Sequence, residues 1–208
     1  MIVISTLNAN EAWRMSLAAL LGEGSETDND FYFRDEPTLI KLEQPSLETP
    51  DPLFPMAAED LLLINNFITT GNKEEQVPHE WTKLYYHRLF DEPNSQVSYI
   101  VEKLKTGRIL GETVASLWDK TVDQEQEISP CTLTVWCRIR KDALETHIHA
   151  HSSDAYKKLL MNLQEFIALH YYIARQIEVA PGPYFHFIDS CHIHEEDRRE
   201  AQKLIELF

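Results

Sequence analysis

A mixed α/β domain is the fold class this sequence predicts, and three observations carry it. In the first half, apolar residues recur at helical spacing, as in Trp13, Leu17, Leu20 and Leu21. From Val114 the pattern switches to the period of two that marks strands. It then returns to helical spacing for one long segment, before a further strand and a last helix. No repeat or low-complexity tract divides the chain, so residues 1–208 read as a single domain, long enough to bury a sizeable core.

Taken in order, Asn8 followed by Glu11 resembles a capping box for the first helix, and Gly22 and Gly24 supply its stop. Residues 22–55 are rich in proline and acid, and only Leu39–Leu42 reads as a strand. Leu61 to Ile68 predicts a helix ending at Gly71. Val97, Ile100, Val101 and Leu104 form another helical stripe, closed by Gly107. Val114–Trp118, Cys131–Ile139 and Ala143–His151 read as strands. Ser152, Ser153 and Asp154 offer N-caps for a long central helix with Leu159, Leu163, Phe166, Ile167, Ala174 and Ile177 on its apolar face. Pro181-Gly182-Pro183 breaks it, Tyr184–Ser190 is a strand, and Glu195–Leu207 is the last helix.

Composition removes several classes. A formal net charge of −15 repels phosphate backbones, so nucleic acid is not the expected partner. No apolar run approaches the roughly 20 residues of a membrane span, and the N-terminus carries no basic region before an apolar core. Cys131, Cys137 and Cys191 are odd in number and irregular in spacing, which fits a reducing, cytoplasmic setting better than a disulfide framework.

Four groups of residues carry possible chemistry. Cys131 follows Pro130 at the start of a strand; it is a nucleophile if cations lower its pKa, or a small core residue. His147, His149 and His151 share one strand face, a zinc-like set only if the backbone curves, because neighbours two apart stand about 6–7 Å from each other. Asp154 is a cap or a site carboxylate. Asn162 borders the buried helix face, where an amide serves a structural bond or reads a ligand with its donor and acceptor.

Pro130-Cys131, His151-Ser152-Ser153-Asp154, Asn162, Gly182-Pro183-Tyr184-Phe185-His186 and Ser190-Cys191-His192-Ile193-His194 fall in one order. That order is similar to the thymidylate synthase family, with its Pro-Cys nucleophile, its Arg-Ser-x-Asp turn, its Asn on the next helix and its late His-x-Tyr. Glu80-Trp81 and Tyr85-Tyr86-His87-Arg88-Leu89 resemble the family's tyrosine region, and the likeness is best from Glu80 to Leu204. One helix follows His194, as in the compact archaeal-type members. The resemblance implies a thymidylate synthase-like α/β sandwich that dimerises through its sheet. It implies that Cys131 attacks C6 of a pyrimidine nucleotide, with C5 taking a one-carbon unit from 5,10-methylenetetrahydrofolate or a related reduced pterin. Asn162 would read the base edge, in the manner that suits uracil. His192 would sit near the sugar, His194 would be a further substrate-binding residue, Ser152 and Asp154 would line the nucleotide and cofactor pocket, and Tyr85 and Glu59 would join Cys131 and Asp154 in the catalytic set. Arg34 matches the N-terminal phosphate arginine.

Against the same pattern this chain departs at the phosphate site. His151 stands where the family has the arginine that grips phosphate and helps activate the thiol, and imidazole lacks that fixed fork and permanent charge. With Trp118 as anchor, the family's partner-subunit arginine pair falls on Gly111 and Glu112, with Arg108 nearby; Thr132 and His194 replace the usual His and Tyr. Two alternatives follow: a pyrimidine nucleotide or nucleoside 5-hydroxymethylase, in which water rather than hydride completes the reaction, and a catalytically silent relative with a binding or structural role.

Overall fold

The computed structural model describes residues 1–27, 31–91, 93–107 and 111–207. Strands β1 (Ile2–Thr6), β2 (Tyr32–Leu42), β3 (Val114–Ser116), β4 (Thr132–Arg140), β5 (Ala143–Asp154) and β6 (Ala180–His194) form one mixed sheet in the order β1-β2-β6-β5-β4-β3. Helices α1 (Ala9–Glu23), α2 (Ala58–Thr70), α3 (Glu80–Phe90), α4 (Gln96–Lys105), α5 (Leu159–Gln176) and α6 (Arg198–Ile205) complete the fold.

Strand direction creates the site. β5 and β6 run parallel, so their C-terminal ends coincide; β2 and β4 are antiparallel to them and start at that same end. Asp154 pairs with His192 and Tyr32 with His194, which brings the ends of three strands into one rim. The Ala155 N–H donates to the His192 carbonyl at 2.8 Å, and the Glu195 N–H donates to the Phe31 carbonyl at 3.0 Å, fixing that rim.

The core lies between one sheet face and the helices. Ile40, Val135, Ile148, Tyr184 and Ile188 point inward, while Trp136, His147, Phe185 and Phe187 alternate outward and stay part-exposed. α5 is buried from Leu159 to His170 on every side, because the sheet, α1 and α2 all pack against it. Trp13 of α1 is fully buried and donates its indole N–H to the Ala155 carbonyl at 2.9 Å, tying α1 to the turn that enters α5.

The Asn8 cap holds as expected, accepting from the Glu11 N–H at 2.8 Å. Gly71 ends α2 in the left-handed region (φ 66°), and a Cβ there would stand 2.5 Å from the Tyr86 ring. Five expectations need correcting. β1 exists, its Ile2, Ile4 and Thr6 facing inward, and β2 spans eleven residues rather than four. Ser152, Ser153 and Asp154 do not cap α5; they finish β5, and the helix begins after Lys158 without a side-chain cap. α5 is not ended by Pro181-Gly182-Pro183. Glu178 adopts φ 58°, with the Glu178 and Val179 N–H groups donating to the Arg175 and Ala174 carbonyls; this Schellman turn comes first, and the prolines already belong to β6. The last helix is also shorter than its expected range, preceded by a 3-10 turn at Glu195–Asp197.

Candidate active site

At the rim lies a cavity of about 550 Å³ whose walls include Cys131, Tyr85, His151, Ser152, Asp154, Asn162, His192 and His194. Eight of the ten residues expected from sequence therefore share one chamber. The remaining wall contains His79, Trp81, Lys158, Phe31, Tyr32 and the segment Glu127–Ser129.

Cys131 is half-buried, just ahead of β4, where the β4–β5 register shifts between Thr132 and Thr134. Its backbone is pinned on both sides. The His151 N–H donates to the Cys131 carbonyl at 2.9 Å, and the Thr132 N–H donates to the Tyr85 hydroxyl at 3.0 Å. Burial pushes the thiol pKa up; the Ser152 hydroxyl bond and the Lys158 ammonium oppose that, while the Asp154 and Glu165 carboxyls reinforce it. Lys158 is thus the cation nearest to the role that sequence reasoning sought in an arginine. Among the described residues it makes no ion pair, whereas its neighbour Lys157 is held by Glu196 at 3.0 Å and Asp197 at 2.7 Å. No arginine lines the cavity among the described residues.

Asn162 is buried and donates one amide N–H to the Ser153 hydroxyl at 3.1 Å. Its carbonyl and second N–H remain to read a ligand edge. Asp154 accepts from the Tyr156 and Lys157 N–H groups at 2.9 and 3.0 Å, which orients the carboxylate on the rim. His192 stacks on Tyr32 with centroids 4.0 Å apart. Its Nδ1 lies 3.2 Å from the Ser190 carbonyl, which only accepts, so Nδ1 carries the proton and Nε2 keeps a lone pair. Burial, then the His194 ring, lowers its pKa. The His151 Nε2 is buried with no hydrogen-bond partner.

Two expected residues lie elsewhere. Glu59 is exposed on the first turn of α2, because Leu61, Ile64, Phe67 and Ile68 turn the opposite side of that helix inward; it borders a different surface depression, with Asn66 and Lys73. Arg34 pairs with Glu26 at 2.9 Å and lies 4.6 Å from the Phe33 ring centroid. A register shift between Tyr32 and Arg34 breaks the alternation that would have aimed it beside Tyr32. Arg108 lies outside the described residues, and Gly111 and Glu112 are exposed on a turn. The three-histidine set does not converge either: His147 bonds Glu145 and His149 bonds Asp189, each at 2.9 Å, and among the described residues no group of three metal-ligating side chains gathers.

His79, Lys158 and Glu165 are the site residues that sequence reasoning missed. A signal existed for Glu165, the only carboxylate in the apolar stretch 159–174, three residues past Asn162 and so on the same helix face. His79 and Lys158 stand in no motif.

Comparison with known proteins matches residues 71–207 to the thymidylate synthase family model. A Methanocaldococcus jannaschii protein named "Putative thymidylate synthase" is 25% identical over 202 residues, covering 93% of this chain and 91% of that protein. A Streptococcus agalactiae thymidylate synthase is 24% identical over 152 residues, and the match spans 70% of this chain but 54% of that enzyme. The fold is that of thermostable thymidylate synthase A from Bacillus subtilis, with a TM-score of 0.74, 14% identity, and coverage of 96% of this chain and 84% of the other. With the family model matching well over half its length, the chain belongs to the thymidylate synthase family.

Proposed function

We propose that residues 1–208 act as one thymidylate synthase-like domain that methylates C5 of dUMP through a Cys131 adduct at C6. Family membership supports a one-carbon transferase acting on pyrimidine nucleotides. The observation that carries the finer reading is the placement of Cys131, Asn162, Ser152, Asp154, Tyr85 and His192 around one cavity.

The chemistry follows from those groups. The Cys131 thiolate adds to C6, and the electron pair displaced from C5=C6 makes C5 a carbon nucleophile. Asn162 offers an acceptor to N3–H and a donor to O4, the pattern of uracil. Ser152 and Lys158 favour the thiolate against the cost of burial. The His192 imidazole lines the same chamber, its Nδ1 occupied by the Ser190 carbonyl. A cavity of about 550 Å³ edged by the rings of Phe31, Tyr32, Trp81 and Tyr85 suits a nucleotide with a second planar ring system. Those rings and the Asp154 carboxylate would hold 5,10-methylenetetrahydrofolate or a related reduced pterin, which supplies the one-carbon unit when bound.

The outer sheet face supports a homodimer. There His147 stacks on Phe185 at 4.5 Å and meets Trp136 edge-on at 4.9 Å, while His149 leans on Phe187 at 5.4 Å. Among the described residues no helix covers these part-exposed rings, and a second copy of the sheet would bury them. The three free cysteines fit a reducing cytoplasmic compartment. No helix among the described residues is long and apolar enough to cross a membrane.

The test is tritium release from C5 of labelled dUMP, dCMP and their nucleosides, with and without methylenetetrahydrofolate. Release from dUMP that vanishes in Cys131→Ala supports the reading. Release from dCMP or a nucleoside instead would overturn the dUMP assignment, and no release from folded dimer would overturn the covalent mechanism.

A further inference from the structure

The cavity's second unassigned wall ends in a buried chain of polar groups. His79 lines the cavity with Cys131. Its Nδ1 lies 3.2 Å from the Thr82 hydroxyl, and that hydroxyl donates to Glu165 Oε2 at 2.7 Å. Thr82 and Glu165 are fully buried, and Glu165 Oε1 has no hydrogen-bond partner among the described residues. Because the Thr82 hydrogen is committed to Glu165, its oxygen accepts, so Nδ1 of His79 carries a proton and Nε2 holds a lone pair. Among the described residues Nε2 has no protein partner.

We propose that His79, Thr82 and Glu165 form a proton-transfer chain for the reacting pyrimidine, with His79 as catalytic base and Thr82 and Glu165 as positioning residues. This inference rests on the Cys131 reading. It gives the cavity a base on a wall that Glu59 does not reach, since Glu59 is exposed and borders another depression. The step balances within the chamber. Cys131 Sγ bonds to C6, and C5 accepts a proton from solvent or the one-carbon unit. In the exchange reaction the original C5–H bond then breaks, its proton passing to His79 Nε2, while the electron pair restores C5=C6 and expels the Cys131 thiolate. Glu165, as it ionises with pH rising through about 8, stabilises the imidazolium through Thr82 until solvent takes the proton.

The surrounding charges are consistent with this. Burial and then the Lys158 ammonium hold the His79 pKa down to about 4, with Glu80 opposing, so the ring is an unprotonated base at neutral pH. Burial pushes the Glu165 carboxyl up to about 8, against Thr82 and Lys158, so it ionises within the working range. Tyr85, Tyr184 and Cys131 are the other titratable groups that feel Glu165.

Two readouts separate this inference from the reading beneath it. Tritium release from 5-labelled dUMP, without carrier, reports removal of the C5 hydrogen. Intact mass after incubation with 5-fluoro-dUMP, whose C5 carries fluorine in place of hydrogen, reports addition of Cys131 alone. In His79→Gln the adduct forms and release falls about 100-fold or more. Thr82→Val and Glu165→Gln lose about tenfold, Thr82→Ser restores release, and Glu165→Gln removes the limb of the pH profile near 8. Wild-type release by His79→Gln would overturn the chain. Absence of both adduct and release in the wild type would overturn the Cys131 reading and this inference together.

Discussion

Two cysteines bracket the first half of strand β4, Cys131 just ahead of it and Cys137 within it, and they live in different chemistry. Cys137 is fully buried and faces Thr146, with Sγ 3.5 Å from the hydroxyl; burial pushes its pKa up to about 12. Cys131, six residues earlier, stands where the strand has not yet begun and the register with β5 slips, so its sulfur opens onto the cavity with Ser152 and Lys158 opposing the burial effect. Residue type is the same at both positions. On the proposed function, what would make one thiol a nucleophile and leave the other a packing group is the strand irregularity and the cation that the next element brings.

The sharpest way to break that contrast is to remove each sulfur in turn. Cys131→Ala should abolish tritium release, a loss of at least about 10³-fold, because the covalent route disappears. Cys137→Ala should leave turnover within about twofold and cost on the order of 1–2 kcal/mol in urea unfolding, as a small core truncation does. Equal losses of turnover at the two positions would erase the distinction.

Base recognition comes next in size. Asn162→Asp exchanges the amide's donor for a carboxyl, and the preference between dUMP and dCMP should move toward dCMP by roughly 10–100-fold in kcat/KM. An unchanged ratio would remove Asn162 from the base edge.

A smaller effect concerns activation of the thiol. Ser152 and Lys158 both lower the Cys131 pKa, so Ser152→Ala and Lys158→Gln raise it and deplete the thiolate. Iodoacetamide should then label Cys131 roughly threefold to tenfold more slowly at pH 8, with the difference narrowing as pH rises. Labelling of native Cys137 or Cys191 at comparable rates would contradict their burial.

The core end of the sheet makes a prediction of its own. His170, bonded to Thr146 at 2.8 Å, and His186, bonded to the Tyr184 hydroxyl at 2.9 Å, are depressed by burial to about 4 and about 3. The unfolded chain binds protons there more readily, so stability rises with pH from about 3 to the unperturbed value near 6.5 and is then fully present. Glu165 works in the opposite sense: its raised pKa gives stability that is fully present below its ordinary value near 4.5 and is lost as pH rises from there through about 8. Urea melts across pH 4–9 should therefore show a maximum between these limits, and Glu165→Gln should flatten the alkaline side.

The legible part of this molecule was the part written in period and motif. Cys131, Asn162 and His192 were readable because short motifs fall in a known order, and the strands from Val114 onward because their burial alternates. The Ile2–Thr6 strand was missed although Ile2, Ile4 and Thr6 alternate, since five residues give little signal without the neighbouring β2. Glu59 and Glu165 show the harder limit. Glu59 resembles the family position, yet helical phase leaves it in solvent; Glu165 belongs to no motif, yet three residues past Asn162 helical phase points it at the Thr82 hydroxyl of α3. Which helix face a carboxylate occupies depends on tertiary packing that a single residue does not announce. Lys158 is similar: nothing in Lys157-Lys158 tells which ammonium meets Glu196 and which turns into the cavity.

The central claim is that Cys131 is the nucleophile, and peptide mapping by mass spectrometry after incubation with 5-fluoro-dUMP tests it most directly. A nucleotide-sized mass addition is expected on the peptide containing Cys131, and none on those containing Cys137 or Cys191. A folded protein that carries no addition at Cys131, or carries it on another residue, would contradict the account.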